Sequence, residues 1–450
     1  MTGVQDQQEV EGAILSAEGL GDNGGQTLTV PLASASLAID AGSAQCPAFD
    51  QRGTARPQGG ACDIGAFEST TGTPLSIPSS DTVTVTTLAD HDDGFCDEDC
   101  TLREAVMYSS AGNTVNFADG LSGVINLEST ISIDHALSIH GPGSAQLSIS
   151  GQANHTLFYV DIDMVVTISG VTMMNGYDND DDGGLIYSDG SLSVSHANLQ
   201  GAYAEGSGGA IASYGPVLSL NDVVVSGNRS DSHGGAVYTQ SDIFSVVSST
   251  FVGNVSDQAG GALYLAAGDI QIAGATFSTN QSAYGGGAMY IEAVSNVVVT
   301  STSFTGNKTE SGVGGAIDQE ADRLTVIGST FDGNVTRGGN AGGAIYGDGI
   351  QLVVSSSTFT GNVSPSGLGG AIYTCQDASI DRSIFTGNAS PYASGGAIYH
   401  DSCNSSLEVS ASTFQANASG EDGGAIYAGS RGVTIDATTF SNNAALSGIG

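Results

Sequence analysis

The chain contains no tryptophan and a single lysine, Lys308, and charged residues make up 12% of its 450 positions, about half the usual fraction. Nine basic residues stand against 47 acidic ones, for a net charge of −38. That balance excludes nucleic acid as a partner, since too few cations are present to neutralise phosphates. An anionic membrane surface is disfavoured on the same ground. Two readings of the acidic surplus stay open: it binds divalent cations, or it keeps the chain soluble in salty surroundings where repulsion is screened. No run of 18 apolar residues occurs, so no helix is expected to span a bilayer. The opening Met1-Thr2-Gly3-Val4-Gln5-Asp6 lacks the basic and apolar regions of a secretion signal. Ser447-Gly448-Ile449-Gly450 breaks off where another repeat is due. Both ends are those expected of a fragment whose export address and anchor lie elsewhere.

Cysteine is sparse, and its placement is informative. The six residues form three neighbouring pairs, Cys46 with Cys62, Cys96 with Cys100, and Cys375 with Cys403. Local pairs in even number point to disulfides and an oxidising, extracellular setting. The last pair is 28 residues apart, one repeat length, so it is placed to staple adjacent coils. The spacings do not match a four-ligand zinc site.

What the chain has in plenty is glycine, with 66 residues, and an ordinary apolar content of 40%. Gly-Gly-Ala recurs nine times from Gly208 to Gly423 in steps of 26 to 28 residues, with a degenerate copy at Gly183-Gly184-Leu185-Ile186-Tyr187. A second landmark, Phe-x-x-Asn, runs in phase with it from Phe251 to Phe440, and Met173, Leu199 and Val225 take the Phe place in earlier copies. Self-similarity at this period marks a solenoid. Apolar residues alternate with Ser, Thr, Gly or Asp, as in Phe244 and Val246 or Leu352 and Val354. A period of two over such short runs means strands.

The expected fold is all-β: a right-handed parallel β-helix of about eleven coils with a small capping segment. Three short strands per coil are expected, one after Gly-Gly-Ala, one carrying Leu-x-Val and one at Thr-Phe. At the 4.8 Å spacing of stacked strands, eleven coils make a rod about 50 Å long. Phe and the aliphatic residue after Gly-Gly-Ala fill the interior. The Asn three places after Phe is expected to turn the chain in the left-handed conformation and to hydrogen-bond its counterpart one coil away. Eight of these asparagines, Asn228, Asn254, Asn280, Asn307, Asn334, Asn362, Asn388 and Asn417, also read as Asn-x-Ser/Thr. An inward or stacked asparagine cannot carry a glycan, so the repeat explains them better than glycosylation does.

The paired motifs resemble those of chlamydial polymorphic outer-membrane proteins and their bacterial relatives, over residues 170–450. That resemblance implies a surface-displayed adhesin with a β-helical passenger. Cys96, then Cys100-Thr101-Leu102-Arg103-Glu104-Ala105, then Asn116-Phe117 resemble the CSLREA domain that precedes such helices, with Thr101 in place of Ser. Leu102 to Tyr108 is the one helical stretch expected, lying over the open first coil. Asp22-Asn23-Gly24-Gly25, Asp50-Gln51-Arg52-Gly53, Arg56-Pro57 and Asp63-Ile64-Gly65-Ala66-Phe67-Glu68 resemble the closing segment of the same class. The implied organisation is a closing segment of a preceding module (1–68), a linker (69–82), a CSLREA-like cap with first coils (83–165), and a repeat β-helix broken off at its C-terminal end (166–450). Arg52, Arg56 and Arg103 are expected to pair with local carboxylates such as Asp50, Asp63 or Glu104.

Parallel β-helices are often polysaccharide lyases or hydrolases, so catalysis is the alternative to test. A uronate lyase needs a strong base beside acids, and a hydrolase needs two facing carboxylates. Arg323 has Asp318, Glu320 and Asp322 nearby but no second base at a matched position, and the histidines are scattered. No catalytic residue is assigned. One candidate calcium loop is Asp178-Asn179-Asp180-Asp181-Asp182-Gly183, with Asp178, Asp180, Asp182 and Asp189 as ligands. The competing reading is a solvated acidic turn. Asp90, Asp92, Asp93, Asp97 and Asp99 form a second, less regular cluster.

The candidate binding face is the column of tyrosines after Gly-Gly-Ala-Ile: Tyr238, Tyr264, Tyr290, Tyr346, Tyr373, Tyr399 and Tyr427. Alternation puts the aliphatic neighbour inside and Tyr outside, free either to stack on sugars or a partner protein or to cover its own neighbours. The leading expectation is a non-catalytic extracellular adhesin or cell-surface scaffold that binds glycans or extracellular proteins. A carbohydrate-active enzyme and a calcium-stiffened spacer are the alternatives.

Overall fold

The computed structural model describes residues 82–450 except 180, 181, 293–295, 340, 402, 404, 430 and 431, together with residues 32, 46, 49, 50, 52, 54, 56, 62, 63 and 68. The chain divides into two compact units, residues 1–79 and 80–450.

The larger unit is a parallel β-helix. Its coil is typified by the strands Val237–Thr239, Ile243–Val247, Thr250–Val252 and Val255–Ser256. Each pairs in parallel with the equivalent strand one coil away, so Val246 faces Ile272 and Phe251 faces Phe277. The stacks build sheets of 14, 13 and 12 strands along the rod. The fourth strand, only two residues long, was not foreseen. It forms ribbons of seven and three strands, and two residues are too few to show a period. Coils also begin upstream of the recognisable repeat: Thr82–Val85, Asn113–Phe117 and Leu137–His140 lead into Val165–Ser169 in one continuous sheet.

The interior is a set of columns. Phe251, Phe277, Phe304, Phe331, Phe359, Phe385 and Phe414 are fully buried. Their rings, with Phe440, stack at centroid distances of 4.6–5.1 Å. Burying one such side chain is worth about 1.5–3 kcal/mol, and only a neighbouring coil can supply that burial.

Asparagines form a second column. The Asn254 amide nitrogen donates to Asn280 Oδ1 at 3.0 Å and to the Val225 carbonyl at 3.0 Å, while the Asn254 backbone N–H also donates to Asn280 Oδ1. The same pattern runs to Asn443. Hydrogen bonding to the counterpart is thus as expected, but the left-handed turn is not at Asn. It lies one residue earlier, at Gly253 (φ 62°), Thr279 (φ 53°) and their equivalents. The asparagine keeps an ordinary backbone and spends its side chain on the ladder. Two further corners use the left-handed region, at Ser248 (φ 50°) and at the first glycine of Gly-Gly-Ala, such as Gly260 (φ 72°). The second glycine serves close approach instead: a Cβ on Gly235 would run into the Gly261 carbonyl of the next coil.

At the N-terminal end of this unit the helix Leu102–Met107 opens on a capping box between Thr101 and Glu104. Leu102, Ala105 and Val106 are buried in the same apolar cluster as Val85 and Val115. Burial acts to raise the Glu104 pKa, but N–H donors from Thr101 and Asp93 outweigh it and hold the carboxyl below its usual range. With Glu104 so engaged, Arg103 pairs elsewhere, as a fork on Asp90 at 2.8 and 2.9 Å, and reaches the Ser129 carbonyl. Cys96–Cys100 closes the loop before the helix, and Cys375–Cys403 joins two consecutive coils.

In the smaller unit, Cys46 is bonded to Cys62 and Arg52 pairs with Asp50 at 2.8 Å. Arg56 pairs with buried Glu68 at 3.2 Å.

Candidate binding face

In most strands after Gly-Gly-Ala the aliphatic residue points in, a tyrosine takes the outward place and the next residue points in, as in Val237, Tyr238 and Thr239, while Ala212 and Asp318 take that place in two coils. In-register pairing then superimposes the tyrosines. Tyr238, Tyr264 and Tyr290 stack, as do Tyr346, Tyr373, Tyr399 and Tyr427, at 4.7–5.5 Å. The ladder extends further than the candidate residues, through Tyr159, Tyr187 and Tyr214. Tyr187 was legible in the degenerate Gly-Gly copy. Tyr214 was not, because its ring enters the column from two residues beyond Ala212.

The rings cover one another, so this face is not an exposed aromatic strip. Tyr264 and Tyr373 are buried and the others mostly half-buried. Four of the hydroxyls meet carboxylates from the next coil, while that of Tyr238 accepts from Gln240 of its own coil. Tyr159 donates to Asp189 at 2.9 Å, Tyr264 to Glu292 at 2.9 Å, Tyr290 to Glu320 at 3.0 Å and Tyr373 to Asp401 at 2.9 Å. Tyr214 donates to Asp182. Burial, then nearby Asp348, pushes the Tyr346 phenol up to about 12, and burial first and Glu292 next raise Tyr264 as well. These phenols stay neutral donors at any physiological pH. His233 lies against Tyr264 at 4.5 Å, and burial pushes its imidazole below the usual value.

Asp318 interrupts the ladder, standing in register between Tyr290 and Tyr346. It is 5% exposed. Burial, then Glu320 and Asp348, drives its carboxyl well above the ordinary range.

The candidate calcium residues do not converge where they are described. Asp178 accepts from Thr156 at 3.1 Å, Asp182 from Tyr214 and the Ser207 N–H, and Asp189 from Tyr159; Asp180 lies outside the described residues. Among the described residues no three His, Cys, Asp or Glu stand close enough to hold a metal ion. In the second acidic cluster, Asp90 holds Arg103, while Asp92 and Asp93 accept from backbone N–H groups two residues on. No described helix is long and apolar enough to cross a membrane.

Residues 222–240 and 356–375 match the Chlamydia polymorphic membrane protein repeat. Each match runs from the Phe-x-x-Asn corner, or its Val225 equivalent, through Gly-Gly-Ala to the ladder tyrosine. Those two coils are similar to that repeat, and the matched residues are those of the Asn ladder, the glycine corner and the tyrosine face. Among solved structures, a PL6 family alginate lyase, AlyGC, aligns over 80% of each chain with 10% identity and a TM-score of 0.21. No curated protein sequence matches the chain.

Proposed function

We propose that the chain is a non-catalytic adhesin or cell-surface scaffold, displayed outside the cell at the outer membrane or cell surface. Its tyrosine–carboxylate face engages glycans or partner proteins. The observation that carries this reading is the stacked tyrosine column on one face, several of whose hydroxyls, those of Tyr264, Tyr290 and Tyr373 among them, are held by carboxylates. A rigid rod offers such groups at fixed spacing, pre-ordered by ring stacking, so little side-chain freedom is lost on binding. The polymorphic-membrane-protein-type repeat and the disulfides favour an extracellular setting. A uronate-cleaving site needs a strong base, and Arg229, Lys308 and Arg337 are engaged with carboxylates at or beside the two-residue ribbon, a different sheet from the tyrosine strands.

The test is a glycan and matrix-protein array probed with the full chain, with calcium and again with chelator. Saturable binding under either condition supports an adhesin, and loss on chelation alone adds a calcium requirement. Absence of binding in both, with the β-helix intact by circular dichroism, contradicts the reading.

A further inference from the structure

In the 13-stranded sheet, the strands from Asn198–Gln200 to Thr413–Gln415 bury their central residue and turn the two flanking residues outward. In-register pairing lines up those outward residues in two parallel rows. One row holds Thr276, Ser303, Thr330 and Thr358, the other Ser278, Thr305 and Thr360. Neighbours along a row are about 4.8 Å apart, and the rows, two residues apart on each strand, about 6.6 Å. Asp332 is the only charged residue in these strands. The 14-stranded sheet, by contrast, carries Asp269, Arg323, Asp377, Asp381 and Glu408.

The 13-stranded sheet is also flat. The Phe rings beneath it, from Phe251 to Phe440, have interplanar angles of 1–12° from coil to coil. Strands of an open sheet rotate by about 20–25° per step. Buried ladders pin both ends of each strand. The Asn column holds one end. At the other, the backbone N–H groups of Ser329, Ser357 and Ser383 donate to the hydroxyls of Ser357, Ser383 and Ser412. Flat sheets of many strands are uncommon and rest on such side-chain ladders. Threonine adds stiffness, because its branched Cβ restricts rotation. The hydroxyls of Thr276, Thr330, Thr358 and Thr413 hydrogen-bond to no described residue, whereas Ser245 donates to Ser219 on the 14-stranded sheet.

We infer that the outer face of the 13-stranded sheet binds ice. Register held over many coils gains nothing against a liquid or a flexible chain. It is a gain against a solid whose own oxygens repeat. Each free hydroxyl holds one lattice water, and the methyl beside it excludes liquid water from the gap. A single contact of this kind is weak, and adsorption comes from many coils engaging at once. The face is separate from the tyrosine column, which stands on the 12-stranded sheet.

The experiment freezes a dilute solution of the full chain slowly onto a cold surface and measures the share taken into the ice, with thermal hysteresis as a second readout. Enrichment in the ice over an inert protein of similar size is expected. Thr276→Tyr, Thr330→Tyr and Thr358→Tyr, all outward changes, should each cut the hysteresis at least twofold, and together abolish both signals. Ser245→Tyr, the same kind of change on the 14-stranded sheet, should leave both unaltered. Asp332→Thr, which replaces the one charge with a hydroxyl and a methyl, should raise the hysteresis, a gain that misfolding cannot produce. Exclusion of the unaltered chain from ice, or equal loss in Ser245→Tyr, would overturn the inference. Retention on crystalline cellulose without uptake into ice would overturn it too, and would assign the face to a polysaccharide.

Discussion

The carboxylate of Asp318 occupies the space that a Cβ on Gly285, one coil earlier, would need. Gly285 is the only glycine at its place in the repeat, where other coils carry residues such as His233, Ala259, Val313 and Leu368. The two positions are therefore one local device: the coil that loses its tyrosine ring is seated beside the coil that loses a side chain.

Gly285→Ala should accordingly destabilise the chain by about 1–3 kcal/mol through overpacking. Backbone strain does not enter, since Gly285 does not use the left-handed region. In the double variant with Asp318→Ala the loss should shrink, a non-additivity that a double-mutant cycle in urea unfolding reads directly. Additive losses would show that the two positions do not touch.

Asp318 should also shape stability against pH. Burial, followed by the charges of Glu320 and Asp348, raises its folded-state pKa well above the ordinary 3.8. The folded chain then holds this proton more tightly than the unfolded one. Its contribution is complete below pH 3.8 and is lost as pH rises through the folded value. Asp318→Asn should remove that downward slope and make the chain more stable at pH 7. Thermal melts across pH 4 to 8 check both.

The asparagine ladder predicts cooperative damage. Asn334 donates to the Asn362 side chain and the Phe304 carbonyl and accepts from the Asn307 backbone and side chain. Asn334→Ala leaves several buried groups unpaired, at about 1–3 kcal/mol for such a loss. The side chains of Asn254 through Asn417 in this column are fully buried. Folded chain offered to an oligosaccharyltransferase should therefore gain no glycan mass at these positions.

Replacing Cys375 and Cys403 by serine frees a 28-residue loop in the unfolded chain. A loss of about 2–4 kcal/mol is expected, read as a lower urea midpoint.

Much of this architecture was legible in the sequence because a solenoid repeats its rules. Phe251 to Phe440 revealed their column by phase, and Val246 and Ile272 their inward face by alternation. The asparagine at the corner revealed the ladder but misled about the turn. Any residue with a modest left-handed cost serves beside it, so Thr279 and Ala416 carry no signal. Contacts outside the phase of the repeat were hidden, as for Arg103 and Asp90, or Tyr214 filling the place of Ala212. The tyrosine face was found in sequence, yet alternation tells only which way a side chain points. That the rings cover each other follows from exact stacking of coils, which a single strand does not encode.

The most direct test compares two triple neutralisations of equal charge in array binding by the full chain. Glu292→Gln, Glu320→Gln and Asp401→Asn strip the carboxylates that receive the tyrosine hydroxyls. Asp332→Asn, Glu408→Gln and Asp436→Asn strip exposed acids from the other sheets. The tyrosine–carboxylate face predicts that the first set loses binding and the second retains it. Equal loss in both would reduce the interaction to net charge, and loss in the second alone would place the binding surface on another side of the rod.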